Sequence, residues 1–535
     1  MRRCYIILLS AMLCQCARIG QPSGGPKDID APQLLQSIPE NGQKNFNGKN
    51  IELVFDEYIK LKDAKEEIVI SPSPGEKTKF IVKKNKLIIT PENDWKENTT
   101  YNIAFRDGIQ DLNESNPADN LHLAFSTGPT IDSLQISGYV TEAFKEKNPE
   151  KITVALYESD TFNIFNHKPV YFTKTSKSGN FTIQNLKSGT YYIYAFDDKS
   201  KNLKIESKTE RFGFLVNSIR LPGSADTLKI ELVRVDARPL KLTAVRNSST
   251  ISTIRFNKPI DSLNLNSSIP IIYTFADTHS EVTVYKDFEK SDSLKINVWA
   301  TDSLHQKIDT AVYVKFTENK KLDTKFKMSE WQTNLNPENN LLTAQAYSNK
   351  LLLSINYDSI YLQLDTTNFQ SIEPKDISVD TLNKKINLSI KLKIDKKEGK
   401  LSPVLLFGKG AFISIDNDST KSEDIKIKIP KEDNTGTVSI EINTKEKNYE
   451  VQLLTNDNKV VRSFRDLSKY IFKYITPAEY RINVIIDSNN NNRWDPGNFY
   501  KKTAPEKIIL YRNSENKYTF PIRANWEVGP LVITF

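Results

Sequence analysis

The chain has 535 residues, 38% of them hydrophobic and 10% aromatic, with a formal net charge of +8. That composition belongs to folded protein, and the length exceeds what one hydrophobic core can serve. Lysine alternates with aspartate and glutamate along the whole sequence, so no concentrated basic patch marks a nucleic-acid binder.

Arg2 and Arg3 precede an apolar run from Cys4 to Leu13, which ends at Leu13-Cys14-Gln15-Cys16. A short basic head, an apolar segment and a cleavage-like end describe a secretory signal over 1–15. The run falls short of the roughly 20 apolar residues a spanning helix needs. Leu13, three residues before Cys16, resembles the lipobox of bacterial lipoproteins. The resemblance implies that Cys16 is acylated, with palmitate-type chains, and becomes the first residue of the exported protein. Several chains on one cysteine hold a protein on a membrane almost permanently, at roughly 0.8 kcal/mol per buried methylene. A polar tether rich in Gly and Pro follows over 16–29. All three cysteines, Cys4, Cys14 and Cys16, lie in this region, so the body has no disulfide, thiol nucleophile or zinc-thiolate site.

From residue 30 onward short alternating or β-branched runs are bounded by Asn, Asp, Gly, Ser and Pro, with no sustained helical period. This predicts an all-β chain, a tandem array of β-sandwiches. In the first unit, 30–130, strands are expected at Ile51–Phe55, Lys86–Thr90, Tyr101–Phe105 and Leu121–Phe125. Asp30-Ala31-Pro32, Ser37-Ile38-Pro39-Glu40-Asn41-Gly42, Phe55-Asp56-Glu57-Tyr58-Ile59 and Phe125-Ser126-Thr127-Gly128 resemble the SbsA-type bacterial Ig-like domain. With Gly24-Gly25-Pro26-Lys27-Asp28, they also resemble outer-membrane lipoproteins of Bacteroidota that begin with such a domain. The second unit, 131–236, runs from Leu134-Gln135-Ile136-Ser137-Gly138 to Gly189-Thr190-Tyr191-Tyr192-Ile193. It is similar to the prealbumin-like, carboxypeptidase-regulatory-like sandwich, a module that supports its neighbours and carries no catalytic residues.

Residues 181–206 align without a gap to 470–495, a separation of 289. Leu186 meets Ile475, Tyr191 meets Tyr480, Asp198 meets Asp487 and Asn202 meets Asn491. The last unit, 433–535, is therefore expected to be a second prealbumin-like sandwich. Phe55-x-x-x-Ile59 is echoed at Phe256-x-x-x-Ile260 and more weakly at Asn356-x-x-x-Ile360, which predicts two further Ig-like sandwiches over 237–322 and 323–432.

The strongest chemical motif is Asp487-Ser488-Asn489-Asn490-Asn491-Asn492-Arg493-Trp494-Asp495. Oxygens at loop positions 1, 3, 5 and 9, with a backbone carbonyl at Arg493, match the start of a calcium loop. Asn498 replaces the bidentate Glu and Asn492 the Gly, so an Asn-rich turn bonding its own backbone is the competing reading. In the earlier copy Lys199, Lys201 and Lys204 oppose a cation, and a turn is expected. No Gly-x-Ser-x-Gly elbow, Walker loop or Gly-x-Gly-x-x-Gly occurs, and the four histidines are scattered singly. No catalytic residue, cofactor site or small-molecule substrate is evident, and Trp95, Trp299, Trp331, Trp494 and Trp526 are expected at cores or core edges.

These features point to a non-enzymatic, lipid-anchored scaffold of the outer membrane whose partner is a protein complex. The tether from Ala17 to Lys27 holds no acidic residue. Acidic residues after the acylated cysteine accompany surface display in such lipoproteins, so the periplasmic side is expected, beside an assembly or secretion complex. The alternative is a cell-surface adhesin or glycan-binding protein.

Overall fold

The computed structural model describes residues 28–535 apart from 119–120, 160–163, 223–226, 249, 287–292, 317–324 and 394–402. Cys16 lies outside the described residues. The described chain is almost entirely β, and its strands fall into twelve sheets. It divides into two compact units. Unit 1 holds the described residues up to Val140 with Glu150–Lys204 and Asn217–Lys229, and unit 2 holds Thr141–Pro149, Ile205–Val216 and Ile230–Phe535.

Three sandwiches each contain a four-stranded antiparallel sheet of the same strand order. In the first the order is Leu34–Ile38, Ile51–Phe55, Lys86–Thr90, Lys79–Lys83; in the third, Leu242–Asn247, Ile251–Phe256, Glu281–Tyr285, Ile272–Phe275; in the fourth, Gln332–Asn336, Leu341–Tyr347, Lys385–Lys391, Ile377–Asp380. Period-two alternation explains their cores, because one face of each strand is buried and the other wet. Leu53, Leu87 and Ile89 are fully buried, and Ile254, Val282 and Val284 fill the same places in the third sandwich. Each such side chain contributes about 1.5–3 kcal/mol by leaving water.

One polar device recurs where the second strand ends. The Asp56 N–H donates to the Gln33 carbonyl at 3.1 Å, and its Oδ1 accepts the Gln33 N–H at 2.8 Å. Asn257 does the same with Lys241, at 3.0 and 2.9 Å, and Asn349 with Lys327, at 3.1 and 2.9 Å. The residue before each of these donates across the neighbouring hairpin, from Phe55, Phe256 and Ser348 respectively.

This register corrects the echo expected at Asn356-x-x-x-Ile360. Those residues flank a 3-10 turn at Tyr357–Ser359, beyond the strand concerned. Ser348 occupies the place of Phe55 and Phe256, buried at 3% with its hydroxyl donating to the Lys350 carbonyl at 2.7 Å. A small hydroxyl satisfied by backbone replaces a ring, so the sequence pattern is lost while the backbone persists.

The second and fifth sandwiches have a different plan and share it with each other. Each has a three-stranded sheet, ordered Asn180–Leu186, Leu134–Glu142, Leu228–Leu232 and Lys469–Ile475, Gly436–Asn443, Glu527–Thr534. A bulge falls at the same place, between Leu134 and Ile136 and between Gly436 and Val438. In the facing sheet Tyr171–Lys174, Thr153–Tyr157 and Gly189–Phe196 correspond to Val460–Arg465, Tyr449–Thr455 and Ala478–Ile486. The buried tyrosines at the start of the third of these strands bond alike. Tyr191 donates to the Lys187 carbonyl at 3.0 Å and Tyr480 to the Thr476 carbonyl at 2.7 Å. Gly138 is required by a close approach, since a Cβ there would collide with the Leu228 carbonyl.

Candidate functional site

The strand Ala478–Ile486 delivers Asp487 into its loop almost fully buried, at 1% exposure. Asn490 and Asn492 adopt left-handed backbone, with φ of 57° and 64°, which asparagine enters more readily than most residues. The curl turns N–H groups inward. Asp487 accepts from Asn491 at 3.0 Å and from Asn492 at 2.8 Å, and its Oδ2 meets the Arg465 guanidinium at 3.1 Å. The side-chain amides of Asn489 and Asn491 both donate to Asp495, the latter at 2.8 Å. Arg493 reaches Asp261 at 2.9 Å and Asp495 at 3.5 Å.

The loop thus brings Asp487, Asn489, Asn491, Arg493 and Asp495 together as the spacing implies, but turns them on one another. Each carboxylate already carries an arginine, and both asparagine amides present nitrogen rather than oxygen to Asp495. That donor set suits a closed polar turn better than calcium. Among the described residues no three His, Cys, Asp or Glu side chains group as metal ligands. Glu506 is the member that local spacing misses. It is 6% exposed and accepts the Ser488 N–H at 2.8 Å, the Ser488 hydroxyl at 2.9 Å and the Asp495 N–H at 3.0 Å. It clamps both ends of the loop from outside the motif, eleven residues past Asp495.

The earlier copy has the same backbone with other side chains. Lys201 and Leu203 take the left-handed positions, with φ of 57° and 58°. Asp198 accepts the Asn202 N–H at 3.0 Å and the Leu203 N–H at 3.2 Å. The ladders pair Thr153 with Lys174 and Glu450 with Arg465, so Lys174 stands where the later copy has Arg465. No contact closes Lys174 onto Asp198. Burial raises the Asp198 carboxyl above the ordinary range despite its N–H partners, and burial lowers the Lys174 amine despite nearby Asp198 and Glu66.

Many remaining polar side chains fasten one sandwich to another. Within unit 1, buried Glu67 meets Arg106 at 3.1 Å and Lys151 at 2.7 Å, while Arg106 also donates to the Lys174 and Thr175 carbonyls at 3.0 and 3.2 Å. Asn102 donates to Asn185 at 2.7 Å, and the Phe172 N–H to the Ser71 hydroxyl at 3.0 Å. Within unit 2, Asn498 donates to the Leu304 carbonyl at 2.7 Å and Tyr500 to the Ala237 carbonyl. Inside the third sandwich, Lys258 and Asp302 form an ion pair with both side chains buried.

The tryptophans divide. Trp331 stacks on Phe407 at 4.7 Å, Trp95 packs edge-on to Tyr101 at 4.7 Å, and Trp494 meets Phe144 at 4.9 Å. Trp299 and Trp526 overturn the core expectation, at 38% and 45% exposure. Trp299 is on the outward face of Ser293–Thr301, opposite Asp309, and Trp526 lies against the Arg523 guanidinium at 4.7 Å.

Residues 28–127 match the family model described as a bacterial Ig-like domain. The first sandwich is of that class, and the chain as a whole is a multidomain β-sandwich protein. No curated protein matches the sequence significantly. Solved structures it resembles include dimeric latent PorU from Porphyromonas gingivalis, at 11% identity and TM-score 0.22, covering 67% of this chain and 46% of that one. The Bacteroides ovatus mixed-linkage glucan locus protein SGBP-B matches at 11% identity and TM-score 0.15, over 73% of this chain and 92% of that one. Domains 1–6 of the surface-layer protein SbsC match at 10% identity and TM-score 0.15, over 91% of this chain and 67% of that one.

Proposed function

We propose that the protein is a non-enzymatic scaffold of the outer membrane, anchored by acyl chains on Cys16 in the manner of Bacteroidota lipoproteins. Its two repeated modules are of the prealbumin-like kind, and its body faces the periplasm beside a protein assembly or secretion complex. The supporting observation is the use made of polar side chains between sandwiches. Glu67, Arg106 and Lys151 in unit 1, and Asp261, Arg493 and Asn498 in unit 2, fix one sandwich against another and converge on no open reaction centre. Rigid spacing of surfaces is what such ties provide.

Affinity purification from detergent-solubilised native membranes tests this reading. Stoichiometric recovery of an integral outer-membrane protein supports it, and recovery of the chain alone overturns it. A second reading, a cell-surface glycan or host binder, is favoured by exposed Trp299 and Tyr313 on one outward sheet face, the latter 61% exposed. Labelling of intact cells by an antibody to the body would favour that second reading.

A further inference from the structure

The two copies of the repeated sandwich treat one polar position differently. In the later copy Arg465 is held by three acceptors, Asp487 at 3.1 Å, Glu450 at 2.6 Å and the Asn492 carbonyl at 3.0 Å. In the earlier copy Thr153 stands at the place of Glu450 and Lys174 at that of Arg465. Lysine offers one nitrogen where arginine offers a fork, and threonine brings no charge. Among the described residues the Lys174 amine makes no hydrogen bond or ion pair. The Thr153 hydroxyl, at 0% exposure, is also without a partner.

What closes the later copy is missing from the earlier one, and open space lies beside it. A cavity of about 370 Å³ is lined by Lys174, Asp198, Ser73, Thr78, Phe80 and Phe172. Its volume falls within the range typical of small-molecule sites. At its rim Glu66 is neutralised by Lys201 and Glu76 by Lys168. Asp198 is turned to its own loop's N–H groups, which leaves the Lys174 amine incompletely partnered.

We propose that this cavity binds a small organic carboxylate, its anionic end on the Lys174 amine and its apolar body between Phe80 and Phe172. A bound carboxylate would give Lys174 an anionic partner, as Glu450 gives one to Arg465, but from the cavity side and not from the Thr153 position, which does not line the cavity. Burial then favours the site, because a charge-assisted hydrogen bond strengthens once water is displaced.

Isothermal titration of the full chain with 4-phenylbutyrate, and separately with the uncharged 4-phenylbutyramide, tests the proposal. One site per chain is expected, with the acid binding at least about tenfold more tightly than the amide and Lys174→Met raising the acid's Kd by at least about tenfold. Ser200→Trp, at an exposed position on the cavity wall, should also weaken binding, and it decides the matter if Lys174→Met fails to fold. No saturable heat in the folded wild-type chain overturns the proposal and leaves a water-filled seam. Equal binding of acid and amide, or acid binding that survives both substitutions, overturns it as well.

Discussion

The Glu67 carboxylate, on a side chain only 4% exposed, receives the Arg106 Nε at 3.1 Å from a residue in left-handed backbone, φ 48°. Lys151 fills its other oxygen at 2.7 Å. Burial alone would raise the carboxyl; the Lys151 bond and the Arg106 charge outweigh it, and the net shift is downward. Removing Glu67 leaves Arg106 and Lys151, whose side chains are 21% and 48% exposed, with water as a substitute partner, which holds the cost to about 1–2 kcal/mol.

Glu67→Gln should therefore destabilise unit 1 by about 1–2 kcal/mol at pH 7. A depressed carboxylate contributes stability above its unfolded value, and loses that contribution as pH falls through its folded value. The gap in melting temperature between wild type and Glu67→Gln should thus be full at pH 7 and shrink below about pH 4. A gap that widens on acidification would sink this account.

The reciprocal bonds at Asp56, Asn257 and Asn349 make a second prediction. Asn257 and Asn349 use their amide nitrogens as well, on the Pro239 and Lys325 carbonyls at 3.0 and 2.9 Å. Asp56 has no such donor. Asn257→Asp should cost about 1 kcal/mol by facing a carboxylate with a carbonyl, while Asp56→Asn should be neutral or slightly stabilising. Urea unfolding of the three proteins checks the order.

The Asp487 loop is expected to be stable without a metal ion. Asp487→Ala takes the acceptor from the Asn492 N–H, leaves the Asn491 N–H only the Asn489 Oδ1 at 3.1 Å, and should cost about 1–3 kcal/mol. Adding calcium to about 2 mM should leave the wild-type melting curve in place, because Arg465 and Arg493 already sit on the two carboxylates. A rise of several degrees that disappears in Asp487→Ala would establish a calcium site instead.

The anchor is tested by fractionation. Cys16→Ser should move the protein from the membrane pellet to the soluble fraction, whereas Cys14→Ser should leave it in place. Persistence of Cys16→Ser in the outer membrane would exclude the proposed lipidation.

The sequence by itself determined the β class, because alternation with a period of two is a local property of each strand. It also carried the duplication, since Tyr191 and Tyr480 and the aspartates after them keep one spacing from strand through loop. Tertiary structure alone decided the rest. Ser348 holds a place that phenylalanine holds twice, because hydrogen bonding and not side-chain volume preserves that corner. Glu506 reaches the Asp487 loop across a chain reversal that no local spacing records. Trp299 alternates with buried neighbours and still faces outward, because the strand's register and not the residue's hydrophobicity chooses its face. Lys174 and Arg465 are counterparts although a gap-free alignment sets them two residues apart. The hairpins that follow them differ in length, and only the ladders to Thr153 and Glu450 bring the two positions into correspondence.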